Sequence, residues 1–208
     1  MLCKEGIWPS FPAMPKIVDH DMRRRELVEA SWRVIARDGL EGVTMRKVAA
    51  AANCTTGRIT HYFSNREDLI LAALRAVYNA AGKRMAVIAT GNLDSAAKLQ
   101  RHLEETLPLD DERLEEWKVW IAFWSAASSN PDLAGENDRR HRKWRNSLIP
   151  LIAGIAPQAD AGLEADILMS IVDGTGLQAA VNSTPANRAR AKKTVAEQVS
   201  RLVRAGRR

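Results

Sequence analysis

The chain has 208 residues, a formal net charge of +6 and an apolar fraction of 46%, enough to bury a core in a small domain joined to a larger one. No apolar run approaches the ~20 residues that a membrane span needs, and MLCKEGIWPSFPA at residues 1–13 lacks the apolar centre of a secretory leader. Two cysteines, Cys3 and Cys54, make no disulfide framework, which points to a reduced cytoplasm.

Residues 1–20 read as an irregular extension, with Met14 a candidate working start. DMRRRELVEASWRVIARDG then predicts a basic amphipathic helix from Asp21 that closes at Gly39. Residues 44–63 predict two short helices joined by a tight turn. Thr44 caps the first, Asn53 suits a left-handed exit, and Thr55 caps the second. Met45, Val48, Ala49 and Ala52 share the inner face of the first, while Arg46 and Lys47 point away from it. On the second, Gly57, Arg58, Thr60 and His61 form an open polar face, and Ile59 and Phe63, four apart, pack inward. Small hydrogen-bonding side chains on an exposed short helix suit the close approach of a DNA major groove. An ordinary helical hairpin is the plainer alternative. Ser64 or Asn65 caps the helix that follows.

Four features carry a resemblance: GLEGVT at 39–44, a Val-Ala pair in the second helix, Gly57 in the third, and Tyr-Phe-x-x-Arg-Glu-x-Leu at 62–69. Their order over residues 21–75 resembles the N-terminal domain of the tetracycline-repressor (TetR) family of bacterial transcription regulators. Three positions depart from that pattern. Asn53 stands where Gly is common, Cys54 where Val is common, and Thr60 where Tyr is usual. These leave the operator sequence open. Arg46 and Arg58 are the candidates for gripping guanine edges, with Thr56 and Thr60 tuning the fit. Thr44, Tyr62 and Arg66 are candidates for holding phosphates. Lys47, Thr55, Gly57 and His61 complete the expected DNA-facing set.

Downstream, helices are predicted over about 66–88, 94–106 and 112–129, the last capped by Asp110 or Asp111. Pro131 opens the next, which carries a basic surface of Arg139, Arg140, Arg142, Lys143 and Arg145 around Trp144. Pro150 predicts a kink or break late in it. Helices over about 161–182 and 186–204 end the chain. Eight Lys or Arg against Glu197 alone place a balance of +7 in residues 188–208, so the rest of the chain is about neutral. The global excess is therefore a solubilising tail rather than a sign of nucleic-acid binding. The local cluster around residues 23–25, 46, 47, 58 and 66 is the more telling one.

Trp117, Trp120 and Trp124 share one helix face, which could be plain core or an aromatic box for a quaternary ammonium. The WxxWxxFW run and the later IVDG are also similar to the choline-responsive repressors of betaine synthesis within the family. Asp173, an acid inside an apolar segment, either orients a cationic or hydroxylated ligand or bonds across a dimer. Apolar stripes through Ile167 and Ile171, and through Val195, Val199 and Leu202, read as either a dimer interface or an intramolecular core. The resemblance implies the first, a four-helix pairing of the last two helices, and a homodimer would read two half-sites. No metal-ligand spacing, cofactor motif or catalytic constellation stands out, and His20, His102 and His141 read as surface residues. The expectation is an all-α protein of about nine helices. An N-terminal three-helix helix-turn-helix DNA-binding domain spans 21–67, and a C-terminal helical ligand-binding and dimerisation domain spans 68–208. Its partners would be double-stranded operator DNA, a second copy and a small-molecule effector, with no membrane.

Overall fold

Local side-chain chemistry sets where the helices begin. The computed structural model describes residues 20–207, and among these it has nine helices and no strand. They are α1 (His20–Asp38), α2 (Met45–Ala51), α3 (Thr56–Tyr62), α4 (Arg66–Thr90), α5 (Ser95–Glu105), α6 (Asp111–Ala127), α7 (Pro131–Ile155), α8 (Ala161–Val181) and α9 (Pro185–Gly206). Each helix from α2 onward starts at a Thr, Asn or Asp whose side chain accepts an amide of the first turn. Asn65, not Ser64, caps α4. His20 already belongs to α1, one residue earlier than expected, while the rest of the expected extension, with Cys3 and Met14, lies outside the described residues.

The turns follow the same logic. Gly39 ends α1 at φ 70, a conformation open to a residue without Cβ, and Asn53 takes φ 49 between α2 and α3. Cys54 packs partly against the core, a small apolar filler of that turn. Of the kink or break expected at Pro150, the break is absent: α7 runs on to Ile155. Pro150 and Asn146 are both exposed, so the carbonyl released four residues earlier can be served by water.

Leu27, Val34 and Ile35 of α1, Val48 of α2, Ile59 of α3 and Leu69 of α4 make the N-terminal core, all at most 2% exposed. The long helix α4 continues from there, packing on α1 at its start and on α5 and α6 beyond. Helix α7 packs on α5, α6, α8 and α9, and α8 packs along α9. One clamp ties α4 to this second layer. Arg84 of α4 donates to both oxygens of Glu116 on α6, at 2.8 and 2.7 Å, and to Glu105 of α5 at 2.9 Å. Glu116 is 1% exposed; burial pushes its carboxyl up and the Arg84 guanidinium pulls against it. The basic surface expected on α7 is largely paired, through Glu136 with Arg139 and Arg140, Asp138 with Arg142, and Asp166 with Arg145.

Candidate nucleic-acid interface and interior cavity

Fully buried Ile59 anchors α3, and Phe63 closes its end with the Arg24 guanidinium 5.0 Å from its ring centroid. The opposite face, Thr56, Gly57, Arg58, Thr60 and His61, is exposed. Thr55 accepts from the Arg58 amide at 3.4 Å, and the Thr60 hydroxyl donates to the Gly57 carbonyl at 3.1 Å, leaving its lone pairs outward. Arg46 on α2 and Arg58 on α3 are exposed, and among the described residues neither guanidinium is hydrogen-bonded or paired. A Cβ built on Gly57 would meet nothing closer than Thr55 Oγ1 at 3.9 Å. The packing of the chain itself therefore does not require glycine there.

Two expected DNA contacts are occupied elsewhere. Lys47 Nζ lies 2.9 Å from Asp38, which Arg37 also holds at 2.7 Å. Arg37 first, and Lys47 second, keep the Asp38 carboxyl well below the usual carboxylate range. The Arg66 guanidinium donates to the carbonyls of Val43, at 2.9 Å, and Leu40, stitching the start of α4 to the α1–α2 loop. This tether fixes the loop that presents Thr44, whatever contact Arg66 makes with a phosphate. Thr44 itself is exposed and caps α2 through the Lys47 amide at 3.1 Å. Tyr62 is half-buried, with its hydroxyl 3.3 Å from His20 Nδ1 and the His61 ring edge-on at 5.1 Å. His20 was assigned to the extension from sequence, so its place beside α3 carried no signal there.

A cavity of about 740 Å³ lies between α4, α5, α6, α7 and α8, and all four expected ligand residues line it: Trp117, Trp120, Trp124 and Asp173. Trp117 is 1% exposed and donates its indole N–H to the Thr106 carbonyl at 2.8 Å, so it is both core and wall. Trp120 stacks on Tyr78 with centroids 6.1 Å apart, and Trp124 stands edge-on to Trp117 at 5.7 Å while donating to Asn137 at 3.0 Å. The indole nitrogens of Trp120 and Trp144 are buried without a partner. Asp173 holds no hydrogen bond or ion pair among the described residues, and burial alone pushes its carboxyl up to about 6. Burial likewise pushes the Tyr78 hydroxyl up to about 12.

Sequence reasoning missed Tyr78, Arg140 and Trp144 as cavity residues, because their helix faces carried no acid or aromatic repeat. It also placed His102 and His141 on the surface. His102 is 4% exposed, within 3.3 Å of Ser147 Oγ, and burial lowers its pKa to about 4, so it is neutral. His141 lines the cavity, half-buried, and burial lowers it too. Its neighbours on α7 are basic, and only packing against α6 reveals the inward turn.

The two apolar stripes separate. Val195, Val199 and Leu202 are at most 5% exposed within a single chain, so this α9 stripe is intramolecular core, and the expected interface role for it is withdrawn. Its partners are α5, α7 and α8. On α8, Ile167 and Ile171 are half-buried, in line with Leu163, Leu177 and Val181, which are 56, 39 and 74% exposed. These five recur at helical spacing and leave one apolar ridge open. Among the described residues no His, Cys, Asp and Glu cluster could hold a metal, and no helix is long and apolar enough to cross a membrane.

Comparison with known proteins gives two family matches. Residues 27–73 match bacterial regulatory proteins of the tetR family, and residues 95–204 match the C-terminal part of BetI-type transcriptional repressors. The chain is 32% identical over 192 residues to the HTH-type transcriptional regulator PksA of Bacillus subtilis, covering 91% of this chain and 94% of that protein. It is 29% identical over 195 residues to the HTH-type transcriptional regulator BetI of Burkholderia mallei, covering 91% and 98%. A transcriptional regulator of Saccharomonospora viridis, solved in complex with choline, superposes with a TM-score of 0.80 over 86% of this chain and 96% of that one. At 23% identity, that likeness is one of fold.

Proposed function

The chain belongs to the TetR family of bacterial regulatory proteins and is a DNA-binding transcriptional regulator, not an enzyme, and from this premise we propose that it is a cytoplasmic repressor released from its operator by a cationic small molecule. The division of labour places DNA reading in residues 21–67 and ligand binding and association in 68–208. Arg46 and Arg58 grip base edges, Thr56, Thr60 and His61 tune the fit, and Thr44, Thr55 and Tyr62 set register on phosphates. Gly57 lets the groove close on α3. A homodimer formed through the α8 ridge of Leu163, Ile167, Ile171, Leu177 and Val181 presents two α3 helices to two half-sites.

One observation carries the gating: an unpaired, largely buried carboxylate, Asp173, in the wall of a cavity faced with indole rings. Such a group weakens the folded state unless something positive binds beside it, and indole faces attract the same kind of ligand. That a Saccharomonospora viridis protein of the same fold was solved with choline is in keeping with a quaternary ammonium effector. Ligand binding favours a dimer geometry in which the α3 helices no longer match successive grooves, by at most the ligand's differential affinity for the two states.

The test is selection of bound DNA from a random-sequence pool. The reading predicts enrichment of a two-fold-symmetric site whose half-sites lie a helical turn or more apart. Enrichment of an asymmetric single site would refute the dimer, and no enrichment at all would refute sequence reading by α3.

A further inference from the structure

The cavity is much longer than a small cationic head requires. It is lined along α4 from Tyr78 to Ala89 and along α7 from Arg140 to Leu151. Each stretch is twelve residues, so its ends lie about 16 Å apart at the helical rise. The two stretches run in the same direction. At one end the Arg140 guanidinium lies 5.0 Å over the Tyr78 ring. At the other, both helices reach the first turn of α5: Lys98 donates to the Ala89 carbonyl at 2.9 Å, and Gly154 abuts Ser95.

The two ends differ chemically. Tyr78, Trp120 and the unpaired Asp173 share the first, whereas the second is walled mainly by Met85, Ile88, Pro150 and Leu151, with Lys98 the charged group at that end. The cations around the cavity do not offset Asp173. Arg140 is held by Glu136 at 2.8 Å, Lys98 by the Ala89 carbonyl, His102 is neutral, and Lys83 and Lys143 stand exposed at its edge. A volume of about 740 Å³ belongs with drug-sized ligands, and a trimethylammonium head alone would leave most of it unfilled.

We infer that the effector is a single-chain cationic amphiphile, its quaternary ammonium between Trp120, Tyr78 and Asp173 and its apolar chain running to Pro150 and Leu151. This rests on the effector reading of the cavity given above and adds the tail. Apolar burial makes affinity depend on chain length, while the carboxylate fixes which end goes in. An anionic amphiphile would reverse this, with its head beside Lys83, Lys98 and Lys143 and its tail against an ionised carboxylate.

The experiment titrates the full-length protein with choline, hexyltrimethylammonium, decyltrimethylammonium and decanoate at neutral pH, each below its micellar range, by calorimetry and tryptophan fluorescence. The expected result is about threefold to fourfold tighter binding per added methylene up to decyl. Decanoate is expected to bind at least about tenfold more weakly than decyltrimethylammonium. Asp173→Asn should weaken the cations and strengthen decanoate, and Trp120→Leu, which should weaken the cations without strengthening decanoate, serves as the second variant. Choline binding as tightly as the decyl compound would overturn the tail while leaving the head-group reading intact. Decanoate binding as well as the cation would overturn the charge assignment. If no cation binds to a sample that still binds DNA selectively, both ligand readings fall and the regulator stands.

Discussion

Gly176 of α8 and Trp117 of α6 occupy each other's space: a Cβ built on Gly176 would lie 2.2 Å from Trp117 Cζ2 and 2.4 Å from Cη2. The indole cannot retreat freely, because its N–H is committed to the Thr106 carbonyl and the ring is 1% exposed. The small residues inside α8 therefore have a specific use, which is to seat the cavity wall. Gly176→Ala should cost about 1–3 kcal/mol through overpacking, against a gain of under about 1 kcal/mol in helix propensity. Thermal unfolding and tryptophan emission check this; an unchanged midpoint and spectrum would mean that the wall gives way easily.

Gly57 makes the opposite prediction. The Cβ of Gly57→Ala meets only open space, so stability should hold or rise by about 0.5–1 kcal/mol. Operator affinity should nevertheless fall at least tenfold if α3 lies close against DNA. A stabilised variant with full affinity would move the groove contact off this face.

Arg58 and Arg66 should fail differently. Arg58→Ala should lose about 1–3 kcal/mol on operator and little on random DNA. Arg66→Ala strands the Leu40 and Val43 carbonyls and should cost about 1–3 kcal/mol of stability, its DNA-binding loss tracking partial unfolding of the N-terminal domain. Paired melting curves and anisotropy titrations separate the two. An Arg66→Ala protein with a wild-type midpoint and weakened binding to all DNA would return Arg66 to the phosphate contacts.

Asp173 makes stability depend on pH in the unusual direction for an acid. Its folded-state carboxyl titrates near about 6, above its unfolded value, so the native chain binds the extra proton between the two. Stability should fall as pH rises from about 4 to about 6 and stay level above. Asp173→Asn should remove about 3 kcal/mol of this penalty at neutral pH and little at about pH 4. Cation binding should strengthen over the same window in wild type alone. A variant no more stable than wild type at neutral pH would mean that the carboxylate is already compensated.

The Arg84 clamp joins the helix that leaves the N-terminal domain to the residue beside Trp117. Glu116→Gln should cost about 1–3 kcal/mol, because the bidentate charge pair is lost while Arg84 keeps Glu105. The double variant Arg84→Met with Glu116→Leu should recover most of that. In the recovered protein, DNA binding should persist while its release by a cationic ligand is blunted. Full release would show that coupling bypasses the clamp.

What could be read from the sequence was mostly what acts within a few residues. The caps at Thr44, Thr55 and Asn65, the left-handed Asn53 and the outward face of α3 depend on neighbours along the chain, and the structure has them as expected. Trp117, Trp120 and Trp124 share one cavity wall for the same reason, since a three-to-four spacing is intrinsic to the helix. Long-range partners were not legible. Nothing local says that Lys47 reaches back nine residues to Asp38, or Arg66 twenty-six to Leu40. Likewise the stripes of α8 and α9 look alike as patterns, and only their packing shows that Val195, Val199 and Leu202 face inward while Leu163 and Val181 stay open. His102 and Tyr78 are single residues whose importance comes from the helices across the cavity.

The most direct measurement is fluorescence anisotropy of labelled DNA from immediately upstream of the protein's own gene, at two salt concentrations and with excess random DNA. A regulator that reads DNA through α3 predicts tight binding that survives the competitor, weakens with salt, and loses its selectivity in Arg58→Ala. Binding that collapses under competitor and is indifferent to Arg58→Ala would contradict the assignment of α3 as the reading helix for that DNA.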